Sequence, residues 1–241
     1  MAGAKCPLDP RSAVVQSVAE TLAFDLVCSL LGLEGGLGIR VEPFDFQYTA
    51  IVFGSPEWCL YRVLVFQMTE YLTGRPVRDG MFRSVAKRPN AQAACERTAS
   101  VLWQALLGAR RFGAVGQLSV DEVFSPQQAI LDREILQYVA RLVEGLGLRP
   151  EGVDAVELIA QGVREGSFVG VSDTVGRFRA FYQFPDIFRH WTLSRWREEN
   201  QPSILAEAWA RAEQEISQST FELGDLQQEQ VQRVYDSATK Y

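Results

Sequence analysis

The chain has 241 residues, 47% of them hydrophobic and 22% charged, and a net charge of −6. That length can bury a sizeable core, and the composition excludes a disordered chain. The acidic balance argues against a nucleic-acid binder, which would show a basic field for phosphates.

Four cysteines, Cys6, Cys28, Cys59 and Cys95, form no closely spaced pair, and His190 is the single histidine. A structural zinc site needs paired soft ligands, so no metal site is expected. The spacing does not read as a disulfide framework either, and reduced thiols of a cytoplasmic protein are the expectation. The first ten residues hold no apolar run and do not read as a signal peptide. The most apolar stretch, Ala13 to Leu33, carries Gln16, Glu20 and Asp25. A membrane span tolerates such a polar stripe poorly, so a largely buried helix is expected, with no membrane partner.

In chain order, the first helix runs from about Ser12 to Leu33, between Pro10 and Gly35-Gly36. Leu37 to Glu42 reads as a strand closed by Pro43. Ser55 and Pro56 then open a helix that Gly74 ends, with Leu60, Val63, Leu64, Phe66, Met68 and Leu72 as its apolar positions. A second strand is expected over Pro76–Gly80, and a polar loop over Met81–Pro89. A helix over Ala91–Leu107 leads through Gly108 to a third strand, Phe112–Gly116. Ser125 and Gln128 form a capping-box pattern with Pro126 at the first turn, and the helix ends at Gly145 and Gly147. Ser167–Val169 is a candidate fourth strand.

Alternating strand and helix predicts parallel βα units. Three or four strands are too few for a closed eight-stranded barrel, which takes roughly 250 residues. After Arg177 the chain is dense in aromatics, from Phe178 to Trp196, as expected of rings that pack a tail against a body. A helix from Ser203 and another from Asp225 (with Gln228 as a capping signal) complete an acidic tail. Two parts are expected: 1–185, carrying the βα units, and the helical tail 186–241.

No phosphate-binding glycine loop, Walker loop or nucleophile elbow is present, since Gly35-Gly36-Leu37-Gly38 precedes its strand. His190 among aromatics reads as a packing or surface residue. In parallel βα architectures ligands bind at the carboxyl ends of the strands. Glu42 and Asp45 follow the first strand; Asp79, Arg83, Ser84 and Lys87 the second; Gln117, Asp121 and Glu122 the third. Each is a candidate for orienting a ligand, against the plainer reading of charged loops in solvent.

Several stretches in order resemble the trimethylamine methyltransferase family. Asp45 stands a few residues before Phe53-Gly-Ser-Pro-Glu57. Lys87 precedes Pro89-Asn-Ala-Gln92 and then Glu96, where the family more often has Pro-Asp-Ala-Gln. Leu131-Asp-Arg-Glu-Ile135, Ser167-Phe-Val-Gly170 with Asp173-Thr174, and Trp196 with the tail helix are also similar.

The resemblance implies a (β/α)8 TIM barrel whose mouth binds a methylated amine, of trimethylamine or betaine type. It further implies that the methyl group passes to the cobalt of a corrinoid carried by a separate corrinoid protein, with no cofactor bound directly. Asp45, Glu57 and the loop after Gly80 are the matching mouth positions. With the strand-end residues, the substrate-binding candidates are Glu42, Asp45, Glu57, Asp79, Lys87 and Gln117; no catalytic residue is assigned. The likeness covers the C-terminal half of the family's chain and lacks its histidines near Ser167 and Asp173. The expectation is therefore a partial barrel completed by an N-terminal half-barrel chain or by self-association. The alternative is a non-catalytic half-barrel assembly subunit, or a degenerate fragment.

Overall fold

The computed structural model describes residues 1–35, 38–146 and 154–238. Gly36, Leu37 and Gly147, expected as a helix stop, a strand start and a helix end, lie outside the described residues.

Helix α1 spans Pro10–Leu30, and its N-cap Asp9 accepts the Ser12 N–H. It is not the largely buried helix expected. Ala13, Val14, Ser17 and Cys28 are its buried residues, while Leu22, Phe24, Leu26, Val27 and Leu30 are exposed. It is also the one helix among the described residues long and apolar enough to cross a membrane.

The segment 38–42 keeps the burial rhythm of a strand, with Ile39 and Val41 buried and Arg40 exposed, but forms no ladder. Its backbone groups go elsewhere. The Ser17 hydroxyl accepts the Arg40 N–H at 3.0 Å and donates to the Arg40 carbonyl at 2.9 Å. The Arg62 guanidinium donates to the Val41 carbonyl, and the Ala2 N–H to that of Glu42. Buried backbone groups must be paired, and here side chains replace the neighbouring strand.

A small antiparallel hairpin follows, β1 (Phe44–Asp45) with β2 (Ala50–Ile51). Helix α2, Pro56–Thr73, has the expected Ser55 cap and left-handed Gly74 end. Its buried face is Trp58, Cys59, Tyr61, Val65 and Phe66; Leu60 and Leu72 are exposed. Strand β3 (Asp79–Met81) pairs in parallel with β4 (Arg111–Gly113) around helix α3 (Ala91–Leu106). These are the second and third expected strands, displaced by a few residues.

The Gln104 amide of α3 brackets Met81, accepting its N–H at 3.1 Å and donating to its carbonyl at 2.9 Å. An antiparallel pair, β5 (Gln117–Leu118) with β6 (Val123–Phe124), leads to α4, Pro126–Glu144. Ser125 caps α4 by accepting the Gln128 N–H. The other half of the capping box is absent, because the Gln128 amide donates to Asp132 instead.

Helix α5 (Ala155–Glu165) and helix α6 (Ser172–Phe181) come next. The expected fourth strand over 167–169 is a bend between them, where the Phe168 ring lies against Gly162. Helix α7 (Leu193–Glu198) leads to α8 (Ile204–Ser217), capped by Ser203, and to α9 (Asp225–Ala238). At α9 it is the Gln227 side chain that caps, accepting the Gly224 N–H, rather than the expected Asp225 pair.

The core is a series of small clusters. Ala13, Val14, Ile39, Val41, Tyr61 and Val65 join α1 to α2. Phe82, Val101, Ala105, Ile135 and Val139 join β3, α3 and α4. Ile130, Leu131, Ala208 and Ala212 join α4 to α8, with Ile187 between them. The expected packing of the tail aromatics is overturned for most rings. Phe188 reaches the core, but Tyr182 and Phe184 are exposed, and Trp191 and Trp196 are more than a third exposed. The architecture is mixed α/β with one small parallel and two small antiparallel sheets, consistent with a partial β/α fold; no closed barrel forms among the described residues.

Candidate functional site

The loops after β3 and β4 are held by two networks, one fully buried and one part-buried. In the first, Arg97 of α3 donates to both carboxylate oxygens of Asp132 and to the carbonyls of Ala114 and Gln117. Asp132 also accepts the Gly116 N–H at 2.7 Å and the Gln128 amide at 2.9 Å. Both ionic side chains are fully buried. A buried pair of this kind is tolerated because every lone pair has a donor. In the second, Glu96 accepts the Ser84 hydroxyl at 2.7 Å, the Val85 N–H at 2.9 Å and the Gln92 amide at 2.7 Å.

Between these anchors Ser119, Val120 and Asp121 stand consecutively in the left-handed region, with φ of 51°, 59° and 73°. The branched Val120 is disfavoured there. The turn persists because the Ser119 N–H reaches the Ala86 carbonyl, the Ser119 hydroxyl reaches Glu122, and Asp121 pairs with Arg83. Gly54 fits the turn before α2 against the same loop. At φ 75°, an added Cβ would lie 2.5 Å from the Arg83 carbonyl oxygen.

A cavity of about 240 Å³ opens beside these loops, between segment 38–42, α2, α3 and β3. Glu42, Trp58, Arg62, Asp79, Arg83 and Gln104 line it. Arg62 donates to Glu42 at 3.1 Å and its guanidinium carbon sits 4.8 Å from the Trp58 ring centre. Arg83 lies 4.3 Å over Phe53 in the same manner. Burial pushes the Arg62 guanidinium below its ordinary pKa; Glu42 opposes the shift, and the charges of Arg83 and Arg40 add to it.

Of the sequence candidates, Glu42, Asp79 and Arg83 come together in this cavity. Asp79 sits at its exposed rim, paired with Arg111 at 2.8 Å. The others lie apart. Asp45 turns its carboxylate onto the N–H groups of Gln47 and Tyr48. Glu57 is exposed in the first turn of α2, and Lys87 is exposed in the loop after β3. Gln117 offers its carbonyl to Arg97. His190 is exposed, and all four cysteines are free thiols.

Sequence reasoning missed Trp58, Arg62 and Arg97. The signal for the first two was available: Trp58, Arg62, Val65 and Thr69 share one helical face. Among the described residues no cluster of His, Cys, Asp and Glu is arranged to hold a metal ion.

The chain is similar in sequence to known proteins. Trimethylamine methyltransferase MttB2 of Methanosarcina mazei is 28% identical over 176 residues, covering 72% of this chain and 35% of that protein. Trimethylamine methyltransferase MttB of Methanosarcina thermophila is 28% identical over 166 residues, 67% of this chain and 34% of its own length. MttB of Methanosarcina barkeri is 28% identical over 176 residues. The matched stretch thus spans about a third of the length of these curated relatives. A sequence model of the trimethylamine methyltransferase (MTTB) family matches residues 1–235, and the chain belongs to that family.

Proposed function

We propose that this chain forms part of a corrinoid-dependent methyltransferase acting on a methylated amine of trimethylamine or betaine type. The family match over residues 1–235 carries the reading. In it, residues 1–185 are the partial barrel and 186–241 a helical tail, and the protein works in the cytoplasm. In this reading, which rests on the family, the corrinoid is a substrate brought by a separate protein. The corrinoid, when brought to the site, would supply the nucleophile for the methyl group, and the electron pair of the broken C–N bond would stay on nitrogen.

The chain's own residues hold and desolvate a cationic nitrogen. Asp79, at the open face of β3 and β4, is the carboxylate assigned to this: its pairing with Arg111 lies in solvent and is readily exchanged, whereas Glu42 is held by Arg62 in a part-buried pair. Asp45, Glu57, Lys87 and Gln117, which lie apart from the cavity that Asp79 rims, are assigned to the part of the mouth that a partner chain would complete. The apolar face of α1 and the open strand face of β3 and β4 are to be covered by a complementary half-barrel chain or a second copy.

Methyl transfer from trimethylamine or glycine betaine to cob(I)alamin, assayed with candidate partner chains present, tests the reading. Asp79→Asn is expected to lower turnover at least tenfold. No transfer with any partner would leave the second reading, a non-catalytic assembly subunit, which the exposed apolar face of α1 favours.

A further inference from the structure

Helix α1 is gripped by its own chain on one side only, through Ala13, Val14, Ser17 and Cys28. On the opposite side Val15, Ala19, Leu22, Leu26 and Leu30 are exposed and recur at three- and four-residue steps, the spacing of a helix-pairing seam. The valine and the three leucines are each more than half exposed. With Phe24, Val27 and Leu31 beside them, roughly 700 Å² of apolar surface stands open. That is close to the roughly 800 Å² each partner brings to a standard interface, and above the patch a typical monomer shows.

The stripe matches itself when a second α1 runs the other way. About a centre between Leu22 and Ala23, Val15 falls opposite Leu30 of the second copy, and the small Ala19 opposite the large Leu26. The same centre sets Arg11, at the start of the helix, against Glu34, just past its end; both are exposed. A parallel pair would instead set Arg11 on Arg11. A lipid surface suits the face less well. Between Arg11 and Arg40 the sequence holds no Lys or Arg, Glu20 and Asp25 flank the stripe, and an interfacial helix uses basic flanks to meet anionic headgroups.

We propose that two copies of this chain pair through α1, the helices antiparallel across a two-fold axis near Leu22 and Ala23. The proposal chooses the second copy as the occupant of this face, which the functional reading leaves open. It is tested apart from that reading, because mass is read without turnover.

The experiment is light scattering on the full chain over a dilution series at low ionic strength, giving a dimer dissociation constant. Twice the 27.0 kDa of one chain is expected at the concentrated end. Arg11→Glu and Glu34→Arg each place like charges at both ends of the pair, and each is expected to weaken the dimer severalfold. The two together restore opposite charges and are expected to recover the wild-type constant, a rescue that damage to the fold does not produce. High salt should erase these differences. A monomer at every concentration would overturn the proposal and leave the functional reading, with its half-barrel partner, standing. A dimer that survives Leu22→Glu with Leu26→Glu would overturn it too, as would a double charge reversal no tighter than the single ones. Flotation of the monomer with phosphatidylserine vesicles would assign the face to lipid instead.

Discussion

Arg97 and Asp132 would each be costly to bury alone and are tolerated as a pair. Their attraction roughly repays the desolvation of both, so the pair is a poor source of net stability but a sensitive point of failure. Asp132→Ala leaves a guanidinium and the Gly116 N–H buried without their acceptor. Urea unfolding of that variant is expected to show a loss of about 3–5 kcal/mol. Glu215 behaves differently, on the exposed seam between α4 and α8. Hydrogen bonds from Arg133, then Arg211, hold its carboxyl below the ordinary glutamate value of 4.5. A lowered folded pKa stabilises above that ordinary value and is lost as pH falls through the lowered one. Glu215→Gln is therefore expected to flatten the stability profile as pH falls below the ordinary value of 4.5, by less than about 1 kcal/mol because solvent screens the group. A profile unchanged by the substitution would dissociate the α4–α8 seam from this ion pair.

At the scale of elements, the helices with a serine cap were legible and α5 to α7 were not, while of the strands only β3 and β4 were, each displaced by a few residues. Ser55-Pro56, Ser125-Pro126 and Ser203 each cap a helix, because a cap is decided within four residues of sequence. A strand needs a neighbour that the sequence does not name. Residues 38–42 have a strand's alternation but use Ser17, and Met81 uses Gln104 on the corresponding side of β3. Counting only apolar positions in α2 hid the Trp58–Arg62 face, while Glu42, Asp79 and Arg83 were reachable from their places after strands. Ser17→Ala is expected to destabilise by about 1 kcal/mol, since the part-buried N–H and carbonyl of Arg40 lose their partner. Hydrogen exchange at the Arg40 amide should quicken more than at its neighbours. Gly54→Ala, which forces a Cβ toward the Arg83 carbonyl, should lower stability by about 1–3 kcal/mol in thermal unfolding.

For the molecule as a whole, the core clusters are linked in sequence, α1 to α2, α2 to α3, α3 to α4 and α4 to α8. Stability is thus strongest where clusters adjoin, around α3 and α4, and falls toward both ends of the chain. Helix α9 buries no residue. Ending the chain at Gly224 is expected to leave the unfolding temperature unchanged; a clear drop would mean that α9 docks in solution. The exposed apolar residues of α1 point the other way, to association. Light scattering is expected to give a mass above the 27.0 kDa of one chain, returning to that value when Leu26 and Leu30 are both changed to Glu.

The double grip of Ser17 on Arg40 also bears on aggregation. An extended segment with free amides is a template on which foreign strands grow into fibrils. Here the hydroxyl occupies both the donor and the acceptor of the central residue. Any incoming strand must first evict a side chain anchored in a helix, so growth becomes an exchange reaction with a barrier instead of a simple addition.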